Sequence, residues 1–128
     1  MTSAGEGRTD GRRARGIAAE SAAADHLAGL GYRIVARNWR CKSGELDLVA
    51  QDGETLVFAE VGSRRGSAHY GTAVEAVTPR KCAQVRSTAQ VYLHQTRQDR
   101  VKVRFDVVAV TFDARDQVAE LRHLQGAF

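Results

Sequence analysis

Asp47 and Glu60 lie in two short apolar segments, residues 44–51 (GELDLVAQ) and 54–61 (ETLVFAEV), joined by Asp52-Gly53. Asp-Gly between alternating segments is a strong two-residue hairpin signal. That loop sets Gln51 opposite Glu54, Asp47 opposite Phe58 and Glu45 opposite Glu60, with Glu60 diagonal to Asp47. Three carboxylates then share one face, and Leu46, Leu48, Ala50, Val57, Ala59 and Val61 form the apolar face behind them. Like charges gathered on a sheet are unfavourable unless a cation or a proton relieves them. The chemistry this suggests is a divalent metal site: Mg²⁺, or Mn²⁺ in its place, is held by one or two carboxylates, waters and substrate phosphate oxygens. Solvated acids on an exposed sheet face would give the same pattern, and the hairpin alone does not separate the two readings.

Cations flank the acids in sequence. Arg37, Arg40 and Lys42 precede them, and Arg64 and Arg65 follow in a Gly/Ser-rich loop, residues 62–71. Basic groups beside a metal carboxylate pair suit a phosphodiester, whose charge they neutralise; by itself such a run is also an ordinary solvated surface. Arg80 and Lys81 stand in the first turn of a helix that Thr78 caps and Pro79 opens, where cations oppose the helix dipole, so an anion should lie nearby. Trp39 suits stacking on a base or packing in the core. His26, His69, His94 and His123 show no paired spacing and are assigned no metal role. Asp106 reads as a structural acid at a strand end. Neither a nucleophilic triad nor a Gly-rich phosphate loop is present.

These residues need elements to position them. Residues 14–29 read as an alanine-rich helix with Ile17, Glu20, Ala24 and Leu27 on one stripe, followed by a strand over 32–36 and then the hairpin. Cys82, Val85, Ala89 and Leu93 form the inner stripe of a second helix ending near Gln95, and strands follow over 103–112 and 118–124. The order helix, three strands, helix, two strands predicts an α/β fold with a parallel crossover in a mixed sheet. Residues 1–14, with Arg8, Arg12 and Arg13 among Gly, Ser and Thr, read as a flexible basic tail, and residues 15–128 as one domain. At 128 residues with 43% hydrophobic content the chain can bury a real core, and its net charge of +4 leans towards polyanionic partners. Two cysteines without ligand spacing, and no apolar stretch long enough for a signal or a membrane span, point to a cytoplasmic protein with reduced thiols.

The ordered motifs Gly16-Ile-Ala-Ala-Glu20, Gly31-Tyr32, Arg37-Asn-Trp-Arg40, Gly44-Glu-Leu-Asp-Leu-Val49, Phe58-Ala-Glu-Val61, Ser63-Arg64, Gly71, Lys81, Arg104-Phe-Asp-Val-Val108 and Ala127-Phe128 resemble the YraN family of small bacterial proteins. That family is similar to the PD-(D/E)xK nuclease superfamily, including archaeal Holliday-junction resolvases. The resemblance implies a restriction-endonuclease-like core, a DNA partner, action as a pair of copies, and a Mg²⁺-dependent endonuclease. It makes Glu20, Asp47 and Glu60 the acids, with Asp47 and Glu60 on the metal, and Arg37, Arg40, Arg64 and Arg65 the contacts to nucleic acid. It also implies a lysine two residues after Glu60, where this chain has Gly62. Lys81 is the candidate to replace that lysine, and Arg64 could do part of its work; the alternative is a slow enzyme, or a nucleic-acid-binding or scaffolding protein that does not cut.

Overall fold

The computed structural model describes residues 4–66 and 72–128, and the side chains from Gly11 onwards within the first helix. The elements are α1 (Ala4–Gly29), β1 (Arg33–Cys41), β2 (Gly44–Asp52), β3 (Thr55–Arg65), a 3₁₀ turn (Val74–Ala76), α2 (Pro79–Gln95), β4 (Lys102–Phe112) and β5 (Val118–Leu124). The expected order of helix, three strands, helix and two strands holds, as does the end of α2. The fold is mixed α/β. Residues 67–71 of the expected basic loop, with His69 and Gly71, lie outside the described residues.

The five strands form one sheet in the order β1-β2-β3-β4-β5. Adjacent strands are antiparallel except β3 and β4, which run parallel from Thr55↔Lys102 to Arg65↔Phe112, with α2 in the connection. β3 is therefore central and covered on both faces, which is why it reads as a continuous apolar run rather than an alternating one. On one face Ala19, Ala23, Ala24 and Leu27 of α1 pack on Leu48, Ala50, Val57, Ala59 and Val61. On the other, Val85, Ala89 and Tyr92 of α2 pack on Leu46, Val49, Leu56 and Phe58.

Three expectations are corrected. The first helix begins at Ala4, not at residue 14. Its inner stripe is built on alanines, which let the helix lie close to the sheet, whereas Ile17 is 58% exposed. The hairpin closes through Gly53-Glu54, with Asp52 paired to Thr55 and Val49 to Phe58. Gly53, at the first loop position with φ 58°, fits the type II′ preference for glycine there.

The shifted register changes the neighbourhood of the acids. Regular β2-β3 pairing stops at Leu48↔Ala59, just short of Asp47 and Glu60. Where the pairing ends at Asp47 the alternation also breaks: Leu46 joins the α2-facing cluster and Leu48 the α1-facing one, so the single apolar face expected from Leu46 to Val61 is split between two layers.

Candidate functional site

Where the β2-β3 ladder ends, side chains take over its hydrogen bonds. The Asp47 N–H donates to Glu60 Oε1 at 3.2 Å, and the Val61 N–H donates to Asp47 Oδ2 at 2.9 Å. Each acid thus satisfies the backbone of the opposite strand, and the two carboxylates are locked side by side. Glu60 is only 1% exposed. Its second oxygen, Oε2, is buried without a hydrogen-bond partner. Burial first, and the Asp47 charge second, push the Glu60 carboxyl up to about 8.

Lys81 comes to this pair from the first turn of α2. Thr78 Oγ1 accepts from the Lys81 N–H at 3.2 Å, fixing the turn, and Lys81 Nζ lies 3.5 Å from Glu60 Oε2. The acid pair is the anion that a cationic first helical turn calls for. Arg40, Cys41, Glu45, Lys81 and Gln84 line an open cavity of about 500 Å³ with Asp47 and Glu60.

Glu20 approaches from α1, partly buried. Burial, followed by the charge of Asp47, raises its pKa, while a hydrogen bond with the Asn38 side chain opposes the rise. Asn38 is held at φ 49°, a left-handed conformation that asparagine tolerates better than most residues. The sequence assigns Asn38 no role because it falls beyond the expected strand 32–36, whereas β1 runs on to Cys41. Among the described residues no three His, Cys, Asp or Glu side chains group closely enough to ligate one ion, so the carboxylate core is the Asp47–Glu60 pair with Glu20 outside it.

The basic residues divide. Arg40 lines the acid cavity, with Nε 3.5 Å from Glu45 Oε2. Arg37 is exposed on β1 and is not part of the cavity wall. Arg64 and Arg65 line a separate cavity with α1 residues. Trp39 packs edge-on against Tyr92 at 5.2 Å between ring centroids. Asp106 belongs to another network, with Arg104 and His123.

Gly62 has a steric cause. A Cβ built there would lie 2.2 Å from the Ala73 carbonyl oxygen and 3.1 Å from the Val77 side chain, so the segment before α2 occupies the space a side chain would need. Any larger residue at position 62 requires that backbone to move.

The sequence comparisons fit this picture. The chain is 49% identical over 109 residues to a UPF0102 protein of Frankia casuarinae, covering 85% of this chain and 91% of the relative. A UPF0102 protein of Acidothermus cellulolyticus is 46% identical over 132 residues, covering 95% and 98%. One from Pelotomaculum thermopropionicum is 44% identical over 119 residues, covering 93% and 98%. The model of the uncharacterised protein family UPF0102 matches residues 19–110, a span that holds Glu20, Asp47, Glu60 and Lys81, and the chain belongs to that family.

Proposed function

We propose that this protein is a metal-dependent endonuclease acting on DNA, with the Asp47–Glu60 cavity as its active site. The observation that carries the reading is the buried Oε2 of Glu60, which makes no hydrogen bond and meets only the Lys81 ammonium at 3.5 Å, beside a second carboxylate at the wall of an open cavity. A buried acceptor left without a partner is costly, and such groups mark functional sites. A divalent cation fits this donor set, since Mg²⁺ commonly takes only one or two protein carboxylates and completes its shell with water and substrate oxygens. Asp47 and Glu60 would hold it; when bound, it polarises the phosphate and makes the attacking water more acidic.

The chain's own residues supply the rest. Lys81 places an ammonium at the cavity, where it donates to phosphate oxygens as charge grows on them, the task expected of the lysine that Gly62 replaces. Glu20, oriented by Asn38, positions the attacking water. Arg40 adds a donor to the phosphate backbone. The blocked space at Gly62 leaves that position unable to carry the lysine, and the ammonium of Lys81, 3.5 Å from Glu60 Oε2, supports transfer of its task to α2.

The test is cleavage of nicked, branched and single-stranded DNA with Mg²⁺ or Mn²⁺, together with calorimetric titration of Mn²⁺ into the protein. Wild type cleaves, and Asp47→Asn abolishes both cleavage and Mn²⁺ binding. Cleavage that persists in Asp47→Asn overturns the reading. DNA binding without cleavage at any metal concentration leaves the non-cutting nucleic-acid-binding protein in its place.

A further inference from the structure

A second cavity, of about 320 Å³, lies between the start of α1 and the end of β3, lined by Arg12, Arg15, Ser63, Arg64, Arg65 and Phe112. Phe112 is 1% exposed and forms its floor. The Arg15 side chain is only 24% exposed, which is unusual for a guanidinium outside a binding role or an ion pair. Arg65 is oriented by donating from Nη2 to the Ala114 carbonyl at 2.8 Å.

A carboxylate stands beside two of these arginines. Asp116 Oδ1 lies 3.6 Å from Arg15 Nη1 and 3.4 Å from Arg65 Nε, so one carboxylate oxygen is shared by two guanidinium groups. Asp116 is held at φ 59° in the β4-β5 turn. Among the described residues it is the single carboxylate in ion-pair contact with these four arginines. A phosphate oxyanion matches guanidinium geometry at least as well as a carboxylate does, and here would meet four arginines.

We infer that Arg12, Arg15, Arg64 and Arg65 form a second phosphate site, which grips the nucleic-acid backbone a few phosphates from the Asp47–Glu60 cavity. The inference rests on the nuclease reading above. Ser63 to Arg65 follow Glu60 on the same strand, a separation on the order of 10–16 Å at about 3.3 Å per residue. The acid cavity opens against α2 and the arginine cavity against α1, so a strand joining them passes around the C-terminal end of β3. Asp116 competes with the phosphate for Arg15 and Arg65.

Fluorescence anisotropy with a labelled nicked duplex, in EDTA to prevent cleavage, tests this on the full chain. The Arg12→Gln/Arg64→Gln variant should bind about tenfold more weakly, with a log-log salt slope smaller by about two. Asp116→Asn should bind severalfold more tightly, because it frees two guanidinium groups and removes one negative charge beside them. Wild-type affinity and slope in the arginine variant overturn the second site, while loss of cleavage in Asp47→Asn would keep the nuclease reading standing. Absence of any binding by wild type at low salt overturns both.

Discussion

Two buried acids stand one residue out of register on the central parallel strands, on opposite faces of the sheet, and they are treated in opposite ways. Asp106 of β4 pairs with Ala59, one residue before Glu60 of β3, and both acids are 1% exposed or less. Asp106 is fully satisfied: Arg104 grips it through Nε and Nη2 at 2.8 and 2.9 Å, His123 Nε2 lies 2.8 Å away, and the Gly126 N–H donates at 3.0 Å. Although burial works against it, these bonds hold its carboxyl below the usual range. Arg104 also reaches Asp52 and donates to the Tyr32 hydroxyl, tying the β2-β3 turn and the start of β1 to β4. Glu60 has one backbone donor, a like-charged neighbour and a second oxygen that makes no hydrogen bond and meets only an ammonium at 3.5 Å. Burial alone therefore does not mark function; incomplete satisfaction at a cavity does.

Breaking the Asp106 network should give the largest effect. Arg104→Ala leaves a buried carboxylate without its main partner and should cost about 3–5 kcal/mol, seen as a lower urea midpoint at unchanged activity per folded molecule. Next, Lys81→Met should leave thermal stability near wild type but reduce DNA cleavage about 10²–10³-fold, the scale of losing one preorganised donor. A full-rate Lys81→Met enzyme would remove Lys81 from the chemistry.

The pH profiles sharpen the contrast further. Glu60 is raised from 4.5 to about 8 in the fold, so the folded state binds more protons than the unfolded one between those values, and metal-free stability should fall as pH rises through that window. Asp106 has the opposite sign: its contribution is present above about 3.9, the unfolded carboxyl value, and is lost as pH falls below it. Glu60→Gln should flatten the upper limb and leave the acid limb intact, as read by urea melts from about pH 2 to 9. The smallest effect is expected at Asn38: Asn38→Ala should cost about 1–2 kcal/mol for a left-handed alanine, with Asn38→Gly recovering much of it.

Element order and the parallel crossover were legible because long apolar runs and Thr78-Pro79 punctuate the chain clearly. The hairpin register was not. Closing through Gly53-Glu54 instead of Asp52-Gly53 shifts partners by two, which keeps every residue on its face, so alternation offers no signal against the error. The asymmetry between Glu60 and Asp106 was also hidden, because it depends on Arg104, His123 and Lys81 arriving from elsewhere in the chain. The alanine face of α1 was legible only in part, with Ala24 and Leu27 on the expected stripe but Ala19 and Ala23 not, because a residue that packs by being small carries little hydrophobic signal. No described helix is long and apolar enough to cross a membrane.

The full-length pairing of β3 with β4 bears on how the chain can be shortened. Any truncation that removes Lys102–Phe112 turns β3 from a central strand into a border, baring the hydrogen-bonding groups along Thr55–Arg65. Leu56 to Gly62, buried without interruption, would then be a sticky template for a second chain, so such fragments should aggregate instead of reporting on the isolated hairpin.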